Sequence, residues 1–111
     1  MVEQNTPIKP LSVNKAWQGK RFKTKDYLQY EKQVLFLLPK LIIPEGKLLV
    51  IITFGVSNKA SDIDNPIKPF LDILQKKYNF DDKQIYKLIV NKEITAKNQE
   101  FIKFKITKYE N

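Results

Sequence analysis

Nine consecutive residues, Leu48 to Val56, read Leu-Leu-Val-Ile-Ile-Thr-Phe-Gly-Val, and only Thr53 and Gly55 interrupt the apolar run. Crossing a bilayer takes roughly 18 to 20 apolar residues, so this stretch is too short to span one, and Lys47 to Val56, rich in Leu, Val and Ile, reads as a strand buried in a sheet. Pro44 and Gly46 punctuate the chain before it. On its far side a polar loop, Ser57 to Ser61, leads through Asp62-Ile-Asp64-Asn65-Pro66 into a helix expected from Asn65 or Pro66 to about Tyr78. Ile67, Phe70, Leu71, Leu74 and Tyr78 recur at helical spacing up to Asn79, a plausible C-cap. Pro69 fits only if the helix begins close to it. A buried strand followed by an amphipathic helix directs the chain to a mixed sheet with helices on it.

The flanks extend that outline. Thr6 to Leu11 reads as extended, Ser12-Val-Asn14 as a turn, and Gly19 marks a polar loop that carries Trp17 and Phe22. Thr24 can cap a helix running to about Leu38, with Tyr27, Leu28, Val34, Leu35 and Leu38 on its apolar face and Pro39 ending it. Two further β-like runs follow the second helix, at Ile85 to Val90 and Phe101 to Thr107. The expected fold is α/β (α+β), one small domain over residues 1–111, with a mixed β-sheet covered by two helices in the approximate order βαβαββ.

Charge and composition narrow the chemistry. The chain has no cysteine and no histidine, which removes thiolate and imidazole metal sites, cysteine nucleophiles, Ser-His-Asp triads and histidine bases. Any reaction rests on carboxylates, lysines, hydroxyls and a bound ion. Met1-Val-Glu-Gln-Asn lacks the features of a signal peptide, and no membrane segment is present, so a cytoplasmic location is expected. A net charge of +8 suggests a polyanionic partner. Lys9, Lys15, Lys20, Arg21, Lys23 and Lys25 face only Glu3 within residues 1–25, whereas five of the twelve acids lie between 62 and 82. Carboxylates gathered in a basic chain repel one another unless a cation sits among them.

Asp62 and Asp64 are one residue apart, so in an extended segment both side chains leave the same face and can share a hard cation. Asn65 and the following helix start can hold them or bind a phosphate. Asp-x-Asp-Asn is also an ordinary helix-capping sequence. Asp81-Asp82 opens a loop, which is either a simple turn or a hairpin-like return bringing one carboxylate back beside Asp62 and Asp64. Lys68 and Asp72 stand four apart on the helix face away from Phe70 and Leu74, and their plainest reading is a surface ion pair. Three carboxylates without nitrogen or sulfur donors form an oxygen-ligand site suited to Mg²⁺, with Mn²⁺ as a substitute. That inventory supports hydrolysis of a nucleic-acid backbone, with a lysine neutralising charge at the phosphorus.

The run Asp62-Ile-Asp64-Asn65-Pro-Ile-Lys68-Pro-Phe-Leu-Asp72-Ile-Leu, with Asp81-Asp82-Lys-Gln84-Ile85 after it, resembles the signature of the RusA-like Holliday-junction resolvases, D-x-D-N-x-x-K-x-x-x-D-x-L with a later D-D-x-Q-[VI]. Ser12-Val-Asn14 is similar to the family's P-S-x-N segment, with Leu11 where a proline is common. The resemblance covers most of residues 11 to 90. It implies a homodimeric, Mg²⁺-dependent endodeoxyribonuclease that binds four-way DNA junctions and cuts paired strands symmetrically. It assigns Asp62, Asp64 and Asp82 as metal ligands and Lys68 as the catalytic lysine, and leaves the role of Asp72 open. Ser57-Asn-Lys59-Ala-Ser61 replaces a more basic stretch, and the connection from the helix to Asp82 is slightly short, so junction affinity and cleavage preference are expected to differ.

DNA contacts are expected from Asn14, Lys15, Lys20, Arg21, Lys23, Lys25, Lys59 and Lys68 through backbone phosphates. The competing reading is a DNA-binding module that does not cut, with structural carboxylates and with Trp17 and Phe22 stacking on bases rather than packing on the first helix. A ribonuclease or RNA-binding role finds no matching motif. The apolar excess in Leu35 to Ile43 is either a dimer surface or part of a monomer core.

Overall fold

The computed structural model describes residues 3–18 and 22–110. Strand β1 (Gln4–Thr6) is followed by a one-turn helix α1 (Val13–Ala16) and a small antiparallel hairpin, β2 (Trp17–Gln18) with β3 (Phe22–Lys23). Helix α2 (Lys25–Leu37), strand β4 (Leu48–Val56), helix α3 (Ile67–Tyr78), a 3₁₀ turn (Asp82–Gln84) and strands β5 (Ile85–Ile94) and β6 (Phe101–Lys108) complete the chain. The fold is the expected mixed α/β arrangement. It differs in detail through the one-turn helix and the hairpin, both of which are too short for periodicity to reveal. Of the extended piece expected at Thr6 to Leu11, only Thr6 pairs in the sheet. Pro7 and Pro10 lack the N–H groups that would continue the ladder.

Both long helices form for local reasons. The Thr24 hydroxyl accepts the Tyr27 N–H at 3.1 Å and caps α2, while the Leu38 N–H closes its end on the Val34 carbonyl. The buried stripe of α2 is Tyr27, Tyr30, Glu31 and Val34, continued by Leu38. Leu28, expected on that stripe, is exposed, because Glu31 occupies the inward position with both carboxylate oxygens at 3.2 Å from Lys23 Nζ and Lys76 Nζ. Helix α3 buries Pro69, Phe70, Ile73 and Leu74. Pro69 lies in its first turn, where a missing N–H costs no helical hydrogen bond. Asn79 ends α3 in the left-handed region at φ 55°, its N–H bonded to the Gln75 carbonyl.

The main sheet has the order β1-β6-β4-β5, with β4 parallel to β5 and antiparallel to β6. Leu48, Val50, Ile52 and Phe54 alternate onto one face, alongside Ile102, Phe104 and Ile106 of β6, and all are buried. The Phe70 ring meets Phe54 and Phe104 edge-on at 6.1 and 5.7 Å, which fixes α3 on that face. Tyr30, Val34 and Leu38 bring α2 into the same core.

Strand β5 is different. It is an edge strand in which every residue is exposed or half-buried, including Tyr86 at 58% and Leu88 at 39%. Register places Leu88, Val90, Lys92 and Ile94 beside Val50, Ile52, Phe54 and Val56, on the helix-covered side, yet only Val90 of these four is half-buried. In the 35–43 segment the outcome is divided. Leu38 is in the core and Leu35, Leu41 and Ile43 pack partly against it, whereas Phe36 and Ile42 are 88% and 95% exposed.

Candidate nuclease site

Strand β4, helix α3 and strand β5 form a βαβ unit, whose ligands characteristically gather where the parallel strands end. The loop leaving the C-terminal end of β4 carries Asp62 and Asp64. Residues 63–66 form a turn, so the condition of an extended segment is not met, and the Ile67 N–H reaches the Asp64 carbonyl at 3.3 Å. Asn65 Nδ2 donates to Asp62 Oδ2 at 3.4 Å. The N-cap of α3 is Pro66, with no side-chain capping bond, so neither aspartate is used to cap the helix. Both are exposed, and among the described residues no lysine or arginine stands within ion-pair distance of either. Two free carboxylates beside the positive end of a twelve-residue helix can take a hard cation and a phosphate oxygen together.

Lys68, on the first turn of α3, is exposed and pairs with Asp72 at 3.5 Å, as the four-residue spacing predicted. The N-terminal segment is fastened directly to this turn, because the Val13 N–H donates to the Asn65 carbonyl at 2.8 Å. That bond seats α1, with exposed Asn14 and Lys15, next to the aspartates. Lys25 is exposed at the start of α2 and Lys59 in the β4–α3 loop. Lys23 is committed internally, paired with Glu31 and held over the Tyr27 ring at 5.0 Å. Lys20 and Arg21 lie outside the described residues, as do the side chains of Trp17 and Phe22.

One residue at the site escaped sequence reasoning. Lys92 of β5 donates from Nζ to the Ser61 carbonyl at 2.8 Å and the Lys59 carbonyl at 3.3 Å, tying down the loop just before Asp62. Its only trace in the sequence is a charge within an otherwise apolar alternation, Leu88, Val90, Lys92, Ile94.

Asp81 and Asp82 are elsewhere. Asp81 caps the 3₁₀ turn in a reciprocal capping box with Gln84. Donation from the Lys83 N–H at 2.9 Å holds its carboxyl below the usual carboxylate range. The Asp82 N–H donates to Gln75 Oε1 at 2.9 Å, and Gln84 Nε2 to the Gly46 carbonyl at 3.0 Å. This pair therefore sits where β4 begins, while Asp62 and Asp64 lie beyond its far end. Helix α3 alone spans about 18 Å between them. Of the two readings that the sequence leaves open for this pair, the simple turn holds and the hairpin-like return does not occur within one chain. Among the described residues no three acidic, cysteine or histidine side chains form a metal-binding group. Asp62 and Asp64 supply oxygen donors of the kind that Mg²⁺ takes.

The βαβ frame thus leaves two uncapped carboxylates and an exposed lysine at a helix start, next to exposed Asn14 and Lys15, and the class of protein is given by the family to which the sequence belongs. The sequence matches the family model of endodeoxyribonuclease RusA over residues 7–105 of 111, and the chain belongs to that family of Holliday-junction-resolving endonucleases. A comparison with curated proteins gave no match. None of the described helices is long and apolar enough to cross a membrane.

Proposed function

We propose that this chain is a Mg²⁺-dependent endonuclease, able to use Mn²⁺, that hydrolyses phosphodiester bonds in four-way DNA junctions as a symmetric homodimer. The observation that carries this reading is the pair Asp62 and Asp64, free of capping and of ion pairing, beside Lys68 at the start of α3. A bound Mg²⁺ supplies Lewis-acid charge at the scissile phosphate and a more acidic water. The protein's own groups do the rest. Asp62 and Asp64 hold the ion, and Asn65 orients Asp62. The α3 N-terminus attracts a phosphate oxygen, and Lys68 neutralises charge as the phosphorus becomes five-coordinate. Lys15, Lys25 and Lys59 grip backbone phosphates, joined by Lys20 and Arg21.

The dimer supplies the missing carboxylate. Strand β5 presents an unpaired edge ten residues long with apolar side chains left uncovered. Antiparallel pairing of β5 with its counterpart about a two-fold axis sets the start of one β5 against the end of the other. Asp82, just before β5, then lies at the end of the joined sheet where Asp62 and Asp64 of the other copy stand. Each site is thus built from two chains, and the dimer carries two in matched orientation, one for each cut strand.

The test is cleavage of a labelled four-way junction against matched linear duplex in Mg²⁺, Ca²⁺ or EDTA. Cutting confined to the junction and to Mg²⁺ or Mn²⁺ is expected, and Asp64→Asn should lower kcat by at least about 10²- to 10³-fold with junction binding retained. Near-normal Mg²⁺-dependent cleavage by that variant would remove Asp64 from the site. Binding without any cutting would leave the non-catalytic DNA-binding reading.

A further inference from the structure

Strand β5 reaches the proposed catalytic turn through one side chain. Register sets Lys92 beside Phe54, two residues before β4 ends at Val56, and the Thr95 N–H joins the two strand ends through the Val56 carbonyl at 2.8 Å. Its row neighbours on that side of β5, Leu88, Val90 and Ile94, are apolar. The Lys92 ammonium has no carboxylate partner among the described residues. Instead it donates to two main-chain oxygens, that of Ser61 at 2.8 Å and that of Lys59 at 3.3 Å, both just ahead of Asp62.

The Ser61 carbonyl and the Asp62 N–H share one planar peptide unit, so an anchored oxygen fixes the plane from which the Asp62 side chain departs. Inside the loop, the Ala60 N–H reaches Asn58 Oδ1 at 2.9 Å and the Ser61 N–H reaches the Asn58 carbonyl at 3.1 Å. These bonds shape the loop without tying it to anything outside. Ser57 Oγ holds the loop's start by donating to Glu100 at 2.8 Å. For residues 59–61, Lys92 makes the only hydrogen bonds to another element among the described residues. Beyond Asp62, Asn65 Nδ2 donates to Asp62 Oδ2 at 3.4 Å, and the Asn65 carbonyl accepts the Val13 N–H. Asp62 is thereby held on its backbone side from the sheet and on its carboxylate side from the turn before α3. Lys92 is exposed, so water competes for its two bonds and they add little to global stability. What they set is orientation, and Mg²⁺ demands near-ideal geometry from its oxygens.

We propose that Lys92 is a positioning residue of the metal site: it fixes the pose of Asp62 and so raises the affinity for a divalent cation, touching neither the ion nor DNA. The inference rests on the reading of Asp62 and Asp64 as metal ligands. It gives Lys92 a part different from that of Lys68. Loss of Lys68, which neutralises charge at the phosphorus, lowers the rate at any Mg²⁺ concentration, whereas loss of Lys92 raises the Mg²⁺ concentration that the reaction needs.

The experiment compares the full chain with Lys92→Met, which keeps the stem and removes the donors, and with Lys92→Arg, which restores a cationic donor. Mn²⁺ binding without DNA is followed by the electron paramagnetic resonance of the free ion, and junction cleavage is titrated with Mg²⁺. Junction binding and thermal melting are measured in EDTA. Lys92→Met should weaken Mn²⁺ binding and raise the Mg²⁺ midpoint by about tenfold, with saturating Mg²⁺ recovering most of the lost cleavage. Junction affinity and melting in EDTA should stay at wild-type values, and Lys92→Arg should regain most of the Mn²⁺ affinity. If Lys92→Met does not fold, Lys92→Gln, which keeps one donor, is read in the same way. Wild-type Mn²⁺ affinity and Mg²⁺ midpoint in the variant would overturn the proposal. So would a loss of Mn²⁺ affinity matched by weaker junction binding or a lower melting temperature in EDTA, which would make Lys92 a DNA contact or a general prop of the fold. Wild-type Mn²⁺ binding that Asp64→Asn leaves unchanged would instead defeat the metal-ligand reading itself, whatever Lys92→Met does.

Discussion

Asp62 and Asp64 are exposed acids at the start of a helix, and the common use of such residues is to cap it. Here the cap position falls to Pro66, and neither carboxylate makes a capping hydrogen bond to the helix. Sequence spacing alone left capping and ion binding open, because both put an acid before the first turn. The turn places Pro66 at the cap, so the capping reading fails, and ion binding stays the proposal made above. Lys92 was less legible still, since its partners, the Lys59 and Ser61 carbonyls, are more than thirty residues away along the chain. A different residue-scale constraint lies at Gly55, where an added methyl would overlap the Phe101 ring on the neighbouring strand β6. Gly55→Ala should destabilise the fold by about 1–3 kcal/mol through overpacking, read as a lowered denaturant midpoint with unchanged slope. An unaltered midpoint would show that the ring moves aside freely.

Elements were legible wherever their signals are local. The Thr24 cap, the Asn79 C-cap and the apolar run of β4 each lie within a few residues of what they determine, and each matches the structure. The short hairpin and α1 carry too few residues for a pattern. The exposed character of β5 was not visible either, because its alternation of Leu88, Val90 and Ile94 reads like that of any covered strand. Whether a strand is covered depends on where helices land, and here α2 and α3 pack over β4 and β6. Two apolar surfaces consequently compete for a second copy, the β5 edge and the exposed pair Phe36 and Ile42. Leu88→Asp should convert the proposed dimer to monomer in sedimentation equilibrium at micromolar concentration, while Ile42→Glu leaves it intact. The reverse result would move the interface to the end of α2.

At the scale of the whole molecule, the sequence indicated the partner through charge and the reaction through its carboxylates, but not the distance between those carboxylates. Asp82 follows Asp64 by eighteen positions, and nothing in that spacing reveals that α3 carries it to the opposite end of the sheet. The basic character has its own consequence. With roughly six to ten phosphates neutralised, junction affinity should fall by about 10³- to 10⁵-fold between 50 and 200 mM salt, and a nearly flat response would contradict binding through the backbone.

The central claim is a site completed between two chains, and mixing two inactive proteins tests it most directly. Asp64→Asn and Asp82→Asn should each bind junctions without cutting them. In a heterodimer formed from the two, one site combines both substitutions and the other combines Asp62 and Asp64 of one chain with Asp82 of its partner, all intact. Random reassociation of an equal mixture should therefore restore about a quarter of the wild-type sites, seen as Mg²⁺-dependent single-strand nicking of the junction. A mixture that exchanges subunits and binds junctions yet stays wholly inactive would show that each site is built within one chain.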